Sequence, residues 1–428
     1  MIRSKGKAVV VTATAVLLAA GCSSSSKGGA GGGTSPSGAT TIPSGSASGA
    51  AKSIDVTVGV LTDLTGPAAS GNKTTGDGVK AGVVYAARNG VNVKYIVGDS
   101  ATNPATTLSV AKKFVTQDHV SVVIANSSLT FAAANYLTAQ GVPVIGAAED
   151  GPEWITAKNM FSVYGAVNTT KVADTLGKFY KAQGVTTVGA IGYSISPSSS
   201  EAAKASIKSA ESVGLKNGYL NSNFPFGSTN VQPVALAMKS AGVDGLTATT
   251  DPNTAFALIT ALRQNNANVK VAILATGYGG DLLQAGPGAL NEAQNVYFSL
   301  GFEPLELQTT ATKQFANDLK AAGVSGQATS AQYNGYTAIG LLVRALKVSG
   351  GNKDASALIS ALSGIHDWDA LGLFGSHKLD LSKRTDVVSG VDNCLWVTKL
   401  QGSKFTLVSG ADPVCGKTLP GVTVSASS

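Results

Sequence analysis

From residue 54 onward, short apolar bursts alternate with stretches of helical period. Residues 54–61 (IDVTVGVL) are rich in β-branched side chains and end at the turn Thr65-Gly66-Pro67, which predicts a strand. Residues 73–88 place apolar positions at helical spacing and stop near Gly90. Residues 91–97 predict a second strand. Residues 104–117 predict a helix with Asn103 as its cap and Pro104 at its first position. Short apolar strands over 120–125 and 142–146 flank a helix over 129–140, which Gly141 stops. This β-α-β-α order predicts a parallel sheet with helices on both faces.

The rhythm restarts at Thr169. Helices are predicted over 170–183, 198–213, 231–241 and 254–264, alternating with strands over 185–191, 215–220, 245–248 and 269–274. The chain therefore reads as α/β, with two successive doubly wound units and no close internal repeat. Near the C-terminus, residues 395–397 and 405–407 flank the turn Gln401-Gly402, a hairpin bracketed by Cys394 and Cys415. Ligands of open parallel sheets bind beyond the carboxyl ends of the strands. Two such sheets facing each other would form a cleft, so the residues just after each strand become the candidate site.

Composition supports a globular chain with apolar content for two cores, since 43% of its 428 residues are hydrophobic and 13% charged. The formal net charge of +7 does not imply a nucleic-acid partner. Five of those charges, on Arg3, Lys5, Lys7, Lys27 and Lys52, precede the first acidic residue, Asp55, which leaves +2 on residues 53–428. Arg3, Lys5 and Lys7 form the basic start of an export signal, and residues 8–20 are its apolar core, too short for a comfortable membrane span. The signal ends Leu18-Ala19-Ala20-Gly21-Cys22, which resembles the lipobox of bacterial lipoproteins, in which the cysteine is acylated. The alternative is an ordinary signal peptide with an incidental cysteine. The boundaries expected are a signal over 1–21, a disordered Ser/Gly-rich tether over 22–53 and a folded part over 54–428. A coil of about thirty such residues reaches roughly 30 Å, enough to leash a folded part to a bilayer. With Cys22 assigned, Cys394 and Cys415 remain in an exported chain, and a disulfide between them is the simplest reading beside two free thiols.

Further landmarks carry a family resemblance. Val58-Gly59-Val60-Leu61-Thr62-Asp63-Leu64-Thr65-Gly66-Pro67 with Gly76-Asp77-Gly78-Val79, then Asp99 with Asn103-Pro104, then Val122-Val123-Ile124-Ala125-Asn126-Ser127-Ser128, then Val142-Pro143-Val144-Ile145-Gly146-Ala147-Ala148 and Pro152-Glu153, resemble leucine/isoleucine/valine-binding proteins and their relatives. The resemblance runs from about Ile54 to the end. It implies a type I periplasmic-binding-protein fold: two doubly wound parallel-sheet lobes joined by three hinge crossovers and closing on a ligand. The crossovers fall near 162–168, 300–304 and 373–378. One lobe would hold about 54–165 and 303–374, the other about 169–300 and 377–428. It also implies an extracytoplasmic substrate-binding lipoprotein of an ABC importer, anchored to the outer face of the cell membrane. Such a protein is a monomer whose partners are a small polar solute (an amino acid, amide or related compound), permease subunits and the bilayer. The same fold also serves as a sensor domain, so a ligand-sensing lipoprotein that signals through a membrane partner is the alternative.

The resemblance places ligand contacts at Ser127, Ser128, Ala148 and Asp150 in the first lobe. Tyr193, Ser198, Asp251 and Tyr278 are the candidates in the second. The pattern departs from the family. Asp150 stands where a threonine is usual, and Glu149 adds a second carboxylate where a ligand carboxylate would bind. An aromatic position of the first loop falls on Gly71, and another falls near Ser198 with Tyr193 close by. The acid that would hold a ligand ammonium falls on Gly277. A standard branched-chain amino acid is therefore not expected to be the best ligand. Glu149 and Asp150 read either as acceptors for a cationic or polyhydroxy solute or as an exposed loop in which Asp150 caps the segment from Pro152. Tyr193, Tyr278 and Tyr333 read as cleft lining or as core and hinge packing. Asp251 reads as a cleft acid or as a helix cap.

Catalysis finds no support in the sequence. His119, His366 and His377 are scattered without metal-ligand spacing. Gly192-Tyr193-Ser194-Ile195-Ser196 lacks the second glycine of a nucleophile elbow. Gly277-Tyr278-Gly279-Gly280 is a turn, not a phosphate loop or dinucleotide fingerprint. No enzyme activity, cofactor or metal is expected.

Overall fold

The computed structural model describes residues 53–165, 170–284, 288–384, 388, 390–408 and 412–425. The expected signal, Cys22 and the tether lie outside the described residues.

The first sheet consists of β1 (Ile54–Thr62), β2 (Val91–Asp99), β3 (Val122–Asn126), β4 (Val144–Gly146) and β5 (Met160–Ser162), in the order β2-β1-β3-β4-β5. All pairs are parallel. Alternate residues of each strand serve opposite faces, which is why both faces need cover. Leu61, Val123 and Val144 pack with Phe114 and Leu137, from the helices Pro104–Thr116 and Phe131–Ala139. Val58, Val60, Val122 and Ile145 face the other way, toward Val79 and Ile339, from the helices Thr75–Arg88 and Ser330–Val348. Asn103 caps its helix as read from the sequence, accepting from the N–H groups of Ala105 and Thr106.

Thr75–Arg88 and Ser330–Val348 are far apart in sequence and pack backbone to backbone. A Cβ on Gly78 would stand 2.2 Å from the carbonyl oxygen of Gln332, and one on Gly335 would stand 2.4 Å from that of Thr75. Only glycine permits that approach. Arg88 adds a bidentate pair to buried Asp318, both bonds at 2.7 Å, and the Tyr336 hydroxyl donates to the same carboxylate at 2.8 Å.

The second sheet contains β7 (Thr187–Tyr193), β8 (Lys216–Phe224), β9 (Gly245–Thr249), β10 (Val271–Leu274), β11 (Tyr297–Leu300), β12 (Cys394–Gln401) and β13 (Lys404–Val408), in the order β13-β12-β11-β10-β9-β7-β8. The first five are parallel, and the C-terminal hairpin of β12 and β13 adds two antiparallel strands to the edge. Cys394 and Cys415 form a disulfide that ties β14 (Val414–Cys415) to β12. Among the described residues no helix is long and apolar enough to cross a membrane.

Two expectations need correction. The single helix over 170–183 is instead β6 (Lys171–Ala173) followed by the helix Thr175–Ala182. β15 (Thr418–Thr423) pairs antiparallel with β6, and the N–H of Lys417 donates to Asp174 at 2.6 Å. A partner that far along the chain leaves no local periodicity to read. The second concerns the third crossover. The chain stays with the first lobe beyond residue 377: Leu379 bridges to Trp368, and Arg384 donates to the carbonyls of Ala157 and Lys158 while lying 4.2 Å over the Phe161 ring. The guanidinium of Arg384 over Phe161 and its bonds to two carbonyls hold this segment back. The chain joins the second sheet only at β12.

Candidate functional site

A cavity of about 280 Å³ lies where the carboxyl ends of the two sheets face each other. Asn72, Ser128, Glu149 and Tyr164 reach it from the segments after β1, β3, β4 and β5. Tyr333 and Asn334 reach it from the first turn of Ser330–Val348. The opposite wall comes from Tyr193, Phe226, Thr249, Asp251, Thr276 and Phe302, at or after the ends of β7 to β11. This is the placement that open parallel sheets impose on a ligand.

Beneath the first wall lies a buried polar knot. Asp63 accepts from Asn72 Nδ2 at 2.8 Å, Ser127 Oγ at 2.6 Å, the Ser128 N–H at 2.9 Å and the Ser100 hydroxyl. Its carboxylate thus fastens the loops after β1, β2 and β3 to one another. Asn72 Nδ2 also donates to Ser128 Oγ at 3.1 Å.

Of the sequence candidates, Ser128, Ala148, Tyr193, Ser198 and Asp251 line the cavity. Ser127, Asp150 and Tyr278 do not. The Ser127 hydroxyl is turned inward to Asp63. Asp150 is fully buried and accepts from the Phe131 N–H at 2.6 Å and Trp154 Nε1 at 2.9 Å. Burial, and then the neighbouring Glu153 carboxyl, hold it well above the usual carboxylate range. It serves neither as an exposed cap nor as a wall. Phe131 and Trp154 hold the Asp150 carboxylate away from the cavity, and Glu149 lines it instead. Tyr278 is packed at the hinge against Phe405, with ring centroids 4.9 Å apart; it donates to Glu306 at 2.6 Å and accepts from the Leu305 N–H at 3.2 Å.

The alternatives for Asp251 turn out to be compatible. Its carboxylate caps the helix Pro252–Gln264 through the Thr254 N–H at 3.0 Å, and it accepts the Tyr193 hydroxyl at the cavity wall. Burial and then the charge of Asp251 push the Tyr193 phenol up. Tyr193 meets Phe226 edge to face at 4.8 Å, and Tyr164 meets Phe302 edge to face at 5.9 Å. Tyr164, Phe302, Asn334 and Asn72 are wall residues that the sequence did not mark; each is a common core or loop residue at its position.

Asp251 is the cavity acid of the second wall and Glu149 that of the first. One oxygen accepts long bonds from Asn334 Nδ2 at 3.3 Å and the Tyr164 hydroxyl at 3.5 Å. Burial pushes its carboxyl up to about 7; the charge of Asp63 adds to the rise, and the bonds from Asn334 and Tyr164 oppose it. Next to Glu149, at Asp150, the lobes touch. The Asp150 carbonyl accepts from the Ser196 hydroxyl at 3.1 Å and from the Ser198 N–H at 3.3 Å. His377, Cys394 and Cys415 lie close enough to suggest a metal, but both sulfurs are spent in the disulfide.

Two α/β lobes with a ligand-sized cavity between them define a solute-binding protein. The chain belongs to the periplasmic binding protein family, whose family model matches residues 55–404. Membership makes it a binding protein and not an enzyme. No curated protein matches it. Among solved structures, it resembles a Rhodopseudomonas palustris solute-binding protein of an ABC transporter in complex with 4-hydroxybenzoate, at 17% identity over 85% of this chain and 98% of that one, with a TM-score of 0.68. A leucine-binding protein from Thermotoga maritima is 14% identical over 84% and 99%, with a TM-score of 0.68. A branched-chain amino acid transporter substrate-binding protein from Streptococcus pneumoniae, in complex with isoleucine, is 19% identical over 85% and 99%, with a TM-score of 0.67. At these identities the likeness is one of fold.

Proposed function

We propose that this chain is the extracytoplasmic substrate-binding lipoprotein of an ABC importer. It captures a small polar solute of the amino acid, amide or related class between its lobes and delivers it to permease subunits. The observation that carries this reading is the cavity at the carboxyl ends of both sheets, bounded by polar and aromatic side chains and bridged at Asp150 by Ser196 and Ser198. Three similar structures are described as ABC-transporter solute-binding proteins, and their ligands include 4-hydroxybenzoate and benzoate. Isoleucine is the ligand of another. One fold thus holds different ligands, and the residues of the wall decide which.

A thermal-shift screen of amino acids, amides, amines and aromatic acids is expected to yield one class that raises the unfolding midpoint. A chain that no small solute stabilises would not be a solute-binding protein. Cells lacking the chain are then expected to lose high-affinity uptake of that solute.

The anchor is Cys22, acylated after cleavage behind Gly21, with the Ser/Gly tether between bilayer and binding domain. Two acyl chains hold stably where one holds marginally. Replacing Cys22→Ser is expected to move the chain from the membrane to the soluble fraction; retention equal to wild type would refute the anchor.

A further inference from the structure

Four N–H donors at or just behind the cavity wall are already used by the chain itself. The Ser128 N–H goes to Asp63 at 2.9 Å and the Ser198 N–H to the Asp150 carbonyl at 3.3 Å. The Ser199 N–H goes to Ser196 Oγ at 3.2 Å and the Thr254 N–H to Asp251 at 3.0 Å. Helix N-termini are the natural receivers of an anion, and here internal acceptors occupy them. Among the described residues that line the cavity there is no Lys, Arg or His.

What remains free is an acceptor. Both bonds to Glu149 arrive at Oε1, and no described residue donates to Oε2. Asp281, 1% exposed, lies within electrostatic reach of Glu149. Its carboxylate oxygens make no hydrogen bond of normal geometry. Burial first, and then the charge of Glu149, hold the Asp281 carboxyl well above its usual range, although the N–H groups of Gly277 and Ser330 oppose the rise. Asp63 bears on Glu149 from below. Glu149 is therefore faced by Asp63, Asp281, Tyr164 and Asn334, and by no cation that the structure describes. A ligand carboxylate placed there would meet like charge in a site shielded from water.

Resting on the solute-binding reading above and narrowing its solute to the related amines, we propose that the solute is an organic monoamine, bound as its ammonium ion on Glu149, with its apolar body between the Tyr164–Phe302 and Tyr193–Phe226 pairs. Glu149 Oε2 supplies the counter-charge, and Tyr164, whose hydroxyl already donates to Oε1, borders the same spot. One free carboxylate suits one ammonium group, because the Asp251 oxygens are committed to Thr254 and Tyr193. A cavity of about 280 Å³ is at the small end for ligand pockets and suits a single-ring or short-chain body. A zwitterionic amino acid would satisfy Glu149 and strand its own carboxylate.

The test is calorimetric titration of the purified full-length chain with tyramine, 2-phenylethylamine, benzoate and isoleucine, at about pH 6 and about pH 8, where both amines stay protonated. An amine is expected to bind about thirtyfold or more tighter than benzoate or isoleucine. Because the free Glu149 carboxyl sits at about 7, amine affinity is expected to fall as pH drops below that value, with the displaced proton released to buffer. Glu149→Gln should lose about thirtyfold in amine affinity and lose the pH dependence. The wild-type pH profile and proton release test the same point without relying on the variant's folding. Tighter binding of benzoate or isoleucine, a library ligand without an amine, or unchanged amine binding in E149Q overturns the inference and leaves the binding-protein reading standing. Binding of nothing in both titration and library overturns both.

Discussion

Replacing Asp63→Ala is expected to destabilise the chain by about 4 kcal/mol or more and to abolish solute binding. Asp63 is fully buried, and four donors converge on it from Asn72, Ser100, Ser127 and Ser128. A hydrogen bond to a charged group contributes roughly 1.5–3 kcal/mol, and a buried donor left without its acceptor costs about 1–3 kcal/mol. Those terms are not additive, because the loops will relax and admit water, so the total lies in the range reserved for broken buried networks. Binding is lost with stability because Asn72 and Ser128 are themselves cavity wall. The isosteric Asp63→Asn should be intermediate: one oxygen remains an acceptor, and the new NH₂ opposes donors. Denaturant unfolding of the three proteins measures the order. A cost below about 1 kcal/mol for Asp63→Ala would mean that water replaces the carboxylate and that the knot does not organise the wall.

Breaking the Cys394–Cys415 disulfide is expected to cost about 3 kcal/mol, the amount that closing a loop of this length contributes through the unfolded chain. The bond holds β14 beside β12, and β15 then continues to pair with β6. The double variant Cys394→Ala with Cys415→Ala should therefore unfold at lower denaturant than wild type. Reductant should shift wild type by the same amount and leave the variant unchanged. Amide exchange in β6 should rise with it. If mass analysis shows full reduction of the wild type while its midpoint stays in place, the bond is not a stabilising staple.

Several features were legible along the chain because they are local. The Asn103-Pro104 helix start depends on an acceptor two and three residues from its donors, and the structure has that cap. The strands of the first sheet follow from apolar runs that must be buried on both faces. The hairpin at 395–407 follows from two β-rich runs around Gln401-Gly402, and the pairing of the two remaining cysteines from counting. The candidate wall was legible in outline for the same reason, since strand ends can be placed from their strands: Ser128, Ala148, Tyr193, Ser198 and Asp251 are all wall residues.

By itself, then, the sequence determined the α/β alternation through most of both sheets, the Asn103 cap, the staple and the rim on which a site could stand. Which side chain turns into the cavity was a decision of tertiary structure. Glu149 and Asp150 are neighbours in one short loop, and nothing between them announces that Phe131 and Trp154 will claim the second and leave the first to the cavity. Tyr278 lies one residue after the Gly277 that aligned with a ligand-binding acid, yet Glu306 and Phe405 draw it into the hinge. β6 exists because β15 arrives 245 residues later, and Arg384 stays with the first lobe because Phe161 and the carbonyls of Ala157 and Lys158 await it. Periodicity reports which face of an element a residue shares. The partner that covers that face comes from elsewhere in the chain, and its position is set by the packing of the whole molecule.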